Sequence, residues 1–203
     1  MYEDAVTFLK NNRPLLTQNN FVQLRERCSD RLWPEVYDVL INNDVNPLTY
    51  EEMTKIPSYF FWGVRGVKKL IVPKNISKID ASGISNCDDL VSIYIENPNI
   101  KLEEGAINYL DNLQALNFAN GMTSIPKFKL NQVPNLKIIR IPESVTRIAA
   151  GAFTAIPDDC VIVTPYRKSI SKKLNISEAE LDFYKKHLRF THAPEDVEVE
   201  DEI

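Results

Sequence analysis

The residues best suited to chemistry in this sequence are three cysteines and two histidines. Cys28, Cys87 and Cys160 lie far apart and form no CxxC pair, so the sequence indicates neither a disulfide framework nor a zinc knuckle. His187 and His192 are five positions apart, whereas a helical metal pair needs an i, i+4 spacing with a suitable acidic or thiol neighbour. We therefore expect no metal ion and no cofactor.

Catalysis by a nucleophile or an acid–base couple is also poorly supported. Cys28 is the candidate nucleophile of a cysteine hydrolase, but it lies on the apolar face of a predicted helix, where a thiol packs inertly. The acidic pairs Glu103-Glu104 and Asp158-Asp159 are typical of solvated turns. The sequence contains neither a glycine-rich phosphate loop nor a G-x-S-x-G motif. We expect a protein that is not an enzyme, and we keep the hydrolase as an alternative.

The composition is that of an ordinary globular chain. Its 203 residues are 44% apolar and carry 24 basic against 28 acidic side chains, a net charge of −4. This balance does not favour nucleic acid or an anionic membrane as a partner, although a modest basic stripe, formed by Lys68, Lys69, Lys74 and Lys78, keeps nucleic-acid binding as an alternative. No apolar run approaches the ~18 residues of a membrane span, and the acidic N-terminus is unlike a signal peptide. We expect a soluble, cytoplasmic protein.

The chain divides into four segments by pattern. Residues 1–55 predict short helices, residues 56–166 predict short, evenly spaced strands, residues 167–192 predict one helix, and residues 193–203 form an acidic tail that we expect to be disordered. The tail could bind a basic partner or simply confer solubility.

Proline and capping residues predict the ends of the helices. Pro14 is expected to end the first helix, and Asn19 or Asn20 to precede the second. Ser177 to Glu180 fits a capping box, after which Leu181, Tyr184 and Leu188 share one helical face and Arg189 lies near the helix end.

The middle segment contains an internal repeat. Four units, 67–90, 91–113, 114–136 and 137–160, are 24, 23, 23 and 24 residues long, and a partial fifth unit starts at Val161. Each unit opens with an alternating apolar pair, and successive pairs are 23 residues apart. These pairs are Leu70 and Val72, Ile93 and Ile95, Leu116 and Phe118, Ile139 and Ile141. Alternation predicts a strand with one buried face, and a constant period predicts stacked coils with a continuous core.

The fourth unit resembles the BspA-type leucine-rich repeat. The match to that family's consensus runs through Ile139, Ile141, Pro142, Val145, Ile148, Ala152 and Phe153, and Cys87 with Leu90 resembles the family's close of a repeat. Glu96 and Ala119 depart from it, because they replace the proline after the strand. The resemblance implies an α+β fold: a short leucine-rich-repeat solenoid of about four to five repeats with a helical N-terminal cap and a C-terminal helix.

A second resemblance concerns the N-terminal region. The steps Pro47-Leu48 and Ile56-Pro57, followed by the aromatic run Tyr59-Phe60-Phe61-Trp62, are similar to short repeat proteins of tailed bacteriophages. This resemblance implies a phage origin. We expect the aromatic run to cover the exposed apolar end of the array and to hold the helices against it.

The outward side chains of the strands that open each repeat form a surface that we call the strand face. Ile71, Tyr94, Asn117 and Arg140 are 23 residues apart, so they are expected to form one column across neighbouring strands about 4.8 Å apart. Tyr and Arg are enriched at binding hot spots. The candidate partner-binding residues are Lys69, Ile71, Ser92, Tyr94, Glu96, Asn117, Ile138 and Arg140.

These observations predict a non-catalytic protein–protein interaction module. We expect it to bind and modulate an intracellular protein of a host or a phage. The alternative is a structural or assembly component of a phage particle. The sequence leaves the identity of the partner and the oligomeric state open.

Overall fold

A computed structural model describes residues 3–153, 155–165 and 178–191. Four helices come first: α1 (Ala5–Asn11), α2 (Arg13–Thr17), α3 (Phe21–Arg27) and α4 (Trp33–Asn42), followed by a 3-10 turn at Pro47–Thr49. The Asp4 side chain accepts a 2.7 Å hydrogen bond from the Thr7 amide and caps α1. Pro14 lies in the first turn of α2 rather than at the end of α1. Proline is tolerated there because a backbone N–H in the first turn has no partner within the helix.

Short parallel strands follow. The strands that open the repeats are β2 (Lys69–Val72), β5 (Ser92–Ile95), β8 (Ala115–Phe118), β10 (Ile138–Arg140) and β12 (Val161–Pro165). Two-residue strands lie on the other sides of the coils: β1 (Lys55–Ile56), β3 (Lys78–Ile79), β4 (Ile84–Ser85), β6 (Lys101–Leu102), β7 (Ile107–Asn108), β9 (Ser124–Ile125) and β11 (Arg147–Ile148). The chain therefore winds as a β-solenoid of about five coils, as the repeat predicted.

Every pairing among the five strands that open the repeats has the same offset. Leu70 pairs with Ile93, Ile93 with Leu116, Leu116 with Ile139 and Ile139 with Ile162, a step of 23 residues each time. All five side chains are at most 4% exposed. The predicted ladder of inward aliphatic side chains is confirmed, and it continues into the same buried core as the helices.

The coils turn at residues with left-handed backbone. Gly63, Asn86, Tyr109 and Gln132 have φ values of 70°, 47°, 52° and 51° and are also 23 residues apart. The Gly63 amide donates to the Asn86 carbonyl at 2.9 Å, and the Asn86 amide donates to the Tyr109 carbonyl at 3.0 Å. These hydrogen bonds between coils hold the backbone in a region that side-chain-bearing residues otherwise avoid.

The helices contact the first coil through part of the aromatic run. Phe60 and Phe61 are fully buried, and the Phe60 ring lies 5.1 Å from Trp33 while the Phe61 ring lies 5.5 Å from Tyr37. The Trp33 Nε1 donates to the Phe60 carbonyl at 2.5 Å. The other two aromatic side chains of the run, Tyr59 and Trp62, are exposed, so only its centre fills the junction.

A second contact at this junction is made by a buried arginine. Arg25 is 5% exposed and donates to the carbonyl groups of Tyr59 and Cys28 at 3.1 Å each. It also forms an ion pair with Asp30. The guanidinium thus links α3 to the aromatic run of the first coil.

The C-terminal part differs from the single predicted helix. A 3-10 turn at Glu178–Glu180 leads into α5 (Leu181–His187), which ends earlier than expected, and β13 (Leu188–Thr191) follows. Leu188 and Arg189 are therefore strand residues, because Leu188 has an extended backbone and pairs in parallel with Ile162 of β12. The predicted capping residue Ser177 and the acidic tail 193–203 lie outside the described residues.

Candidate functional site

The candidate site is the strand face, which the period-2 alternation of the long strands produces. In-register pairs join Ile71 to Tyr94, Tyr94 to Asn117 and Asn117 to Arg140. Partners in a parallel ladder have side chains on the same side of the sheet, about 4.8 Å apart. The structure therefore brings the four residues of the predicted column together.

Two large apolar side chains of this column are open to solvent. Ile71 is 44% exposed and Tyr94 is 38% exposed, whereas their neighbours Leu70 and Ile93 on the same strands are buried. Side chains of this kind contribute binding energy when a partner removes them from water.

The polar half of the column is held by two hydrogen bonds. The Asn117 Nδ2 donates to the Ile93 carbonyl at 3.0 Å, and its Oδ1 accepts a 3.2 Å hydrogen bond from Arg140. The amide thus fixes one edge of an exposed guanidinium group, which keeps further N–H donors for a partner. Within the described residues, no carboxylate forms an ion pair with Arg140.

A groove of about 360 Å³ lies beside this column. Tyr94 and Arg140 form part of its wall, and the buried Phe118 and Ile141 contribute apolar surface. Apolar walls with a few polar groups are typical of a site that receives one side chain or a short segment of a partner.

The remaining predicted residues lie at the edges of the column. Lys69 is exposed, and Ser92 and Ile138 are half-buried in the adjacent outward column. Glu96 is half-buried just beyond the end of β5, where its amide donates to the Val72 carbonyl at 2.9 Å. All eight predicted residues therefore lie on or beside the strand face.

The structure adds two residues to the column. Val163 pairs with Arg140, and Arg189 of β13 pairs with Val163. Val163 follows Arg140 by 23 residues, so the repeat period indicates its position in the column. Arg189 lies outside the period, and no repeat pattern indicates it.

The basic stripe does not form one surface. Lys69 lies on the strand face, whereas Lys78 lies in β3 on another side of the coil and binds Asp80 at 2.7 Å and Glu103 at 2.5 Å. Hydrogen bonds to these two carboxylates raise the pKa of Lys78. The charge of Lys78 is thus paired with carboxylates of its own coil and of the next coil.

The cysteines have the properties of packed apolar residues. All three are buried free thiols. Burial raises the pKa of Cys28 to about 11 and that of Cys87 to about 12, which disfavours the thiolate that a nucleophile needs. The His187 ring is also buried, and its Nδ1 lies 2.8 Å from the Cys160 backbone carbonyl.

Across residues 3–153, 155–165 and 178–191, no three His, Cys, Asp or Glu side chains are grouped as metal ligands would be. None of the described helices has the length and apolar character of a membrane-spanning helix.

Two comparisons with known proteins found a similarity. A search of curated proteins found no match. A crystal structure of a leucine rich cell surface protein from Faecalibacterium prausnitzii A2-165 is similar over 57% of this chain and 34% of that one, at 20% identity and a TM-score of 0.41. The chain thus spans about a third of that protein. The family described as "BspA type Leucine rich repeat region (6 copies)" matches residues 43–158, which include all the coils from β1 to β11. With more than half of its length in that match, the chain belongs to the BspA-type leucine-rich repeat family.

Proposed function

We propose that this protein is a non-catalytic interaction module whose strand face binds a protein partner and modulates it. Leucine-rich repeats generally mediate protein–protein interaction, and BspA-like repeats are typically non-catalytic. The observation that carries the proposal is the exposed column, in which Ile71 and Tyr94 lie in register with Arg140. An apolar and aromatic patch beside an oriented guanidinium has the composition of a binding hot spot.

The helices would serve as a cap within this proposal. An uncovered end of a solenoid exposes its aliphatic ladder to water. The burial of Phe60 and Phe61 against α4 supports the assignment of α1–α4 to this role. Rigid ends keep the coils in register, so the strand face is presented to a partner without a large ordering cost.

Photo-crosslinking tests the face assignment directly. A benzoylphenylalanine replaces Tyr94 in one full-length variant and Tyr109 in a matched control, because both tyrosines are exposed, at 38% and 46%, but Tyr109 is at a coil turn away from the strand face. We expect one saturable protein adduct from position 94 and none from position 109. Arg140→Ala in the first variant should reduce that adduct. Equal adducts from both positions, or none from position 94, would refute the proposal.

The proposal includes a cytoplasmic partner in a cell that hosts a phage. Mass spectrometry of purified phage particles separates this function from the structural alternative. Stoichiometric recovery of the chain in particles would favour an assembly role.

A further inference from the structure

The strand face carries positive charge in a chain whose net charge is −4. Arg140 and Arg189 lie in the central outward column, and Lys69 lies in the adjacent one. Where the structure describes the chain, no carboxylate is paired with any of these three side chains, while other basic residues are paired with acidic partners elsewhere on the coils. Glu96 is the one carboxylate among the eight predicted residues of this face, so basic side chains outnumber acidic ones there and the face favours an acidic ligand.

The chain contains one segment with matching chemistry. Residues 192–203 hold six carboxylates, and Val197, Val199 and Ile203 lie among them. These carboxylates are Glu195, Asp196, Glu198, Glu200, Asp201 and Glu202. Without them the formal charge of the chain is −4 + 6 = +2. The segment thus combines acidic and aliphatic side chains, as the strand face combines basic and apolar ones.

The segment begins at the edge of the face. β13 ends at Thr191, which pairs with Pro165, and Pro165 lines the same groove as Tyr94 and Arg140. From β13 to β5 there are four strand-to-strand steps, or about 19 Å at about 4.8 Å each. Twelve residues extend to about 40 Å at about 3.3 Å per residue. The segment is long enough to cross the whole column.

We propose that residues 192–203 bind the strand face of their own molecule and compete there with the external partner. This inference rests on the proposed function of the face. It makes binding of a partner a displacement reaction, in which the partner must replace the carboxylates that contact Arg140 and its neighbours. Because the interaction is largely between exposed charges, added salt weakens it.

A labelled synthetic peptide with the sequence of residues 192–203 tests the competition. Its fluorescence anisotropy is measured with the wild-type chain and with the full-length variant E198Q/E200Q/D201N. With a tethered concentration of about 1 mM and a peptide Kd of about 0.1 mM, the wild-type segment weakens peptide binding about tenfold. We expect the variant to bind the peptide about tenfold more tightly than the wild type. A control, E26Q/E51Q/E52Q, removes three exposed carboxylates outside the segment and should bind like the wild type.

A second pair of substitutions locates the binding site of the peptide. In the E198Q/E200Q/D201N background, Arg140→Gln should weaken the peptide at least tenfold, whereas Lys127→Gln, an exposed charge outside the long strands, should leave its affinity unchanged. Equal peptide affinity of wild type and variant, no binding to the variant, or no effect of Arg140→Gln would overturn the inference. A wild-type dimer that dissociates in the variant, seen by sedimentation velocity, would also overturn it, because the segment would then occupy a second copy.

The crosslinking and peptide experiments distinguish failure of one proposal from failure of the other. A crosslinked partner at position 94 without peptide competition rejects only the intramolecular contact. Peptide competition without any crosslinked partner rejects only the external function.

Discussion

Ile93 and Tyr94 are neighbours in β5 but lie on opposite sides of the sheet, so truncating each of them measures the two faces separately. Ile93 is fully buried and Tyr94 is 38% exposed. Truncation of Ile93 to alanine removes three carbon atoms, worth about 2.4 kcal/mol at about 0.8 kcal/mol each. The void left in the ladder adds about 1–2 kcal/mol. We expect Ile93→Ala to lower the free energy of unfolding by about 3.5–4.5 kcal/mol.

Tyr94→Ala should cost less than about 1 kcal/mol, because the side chain contributes only a partly exposed contact and its strand propensity. Urea unfolding followed by far-UV circular dichroism measures both losses, and thermal unfolding should show a decrease of roughly 10 °C for Ile93→Ala. In the peptide assay, made in the E198Q/E200Q/D201N background, the same two substitutions should give the opposite order of effects. Equal stability losses, or a larger loss for Tyr94→Ala, would show that the faces are assigned backwards.

Three further predictions concern the Asn75 side chain and the buried thiols. Asn75 Nδ2 lies within 3.0 Å of three carbonyl groups in the segment 47–53, so Asn75→Ala should cost about 2 kcal/mol in urea unfolding, with Asn99→Ala as a neutral control. The pKa of Cys28, raised by burial to about 11, and that of Cys87, raised to about 12, predict native thiols that resist iodoacetamide at about pH 8. Since unfolded thiols ionise first, unfolding free energy should fall as pH rises from about 8.5 towards 11, and a flat profile would contradict this.

The solenoid could be predicted because the same apolar pattern recurs at equal spacing along the chain. Leu70, Ile93, Leu116 and Ile139 each follow the same local alternation, and equal spacing leaves one register that buries them all. The positions of Tyr94 and Arg140 on the strand face follow from the same register. The column could thus be located from the sequence before any contact was known.

The parts that the sequence did not predict depend on contacts between distant segments. Leu188 and Arg189 continue a helical pattern locally, but the unpaired edge of β12 offers backbone hydrogen bonds and a buried position for Leu188, and these outweigh helix propensity. The aromatic run divides for a similar reason. Phe60 and Phe61 meet the rings of α4, while Tyr59 donates its amide to Ser82 and keeps its side chain outside.

The constant 23-residue period of the coils also determines how the array can lengthen or shorten during evolution. Duplication or loss of one whole 23-residue unit would shift every later strand by one position and leave all its neighbours matched. An insertion of one residue within a strand would instead turn its aliphatic side chains towards water. Gene rearrangement can therefore widen the surface in steps of about 4.8 Å while the terminal helices stay unchanged.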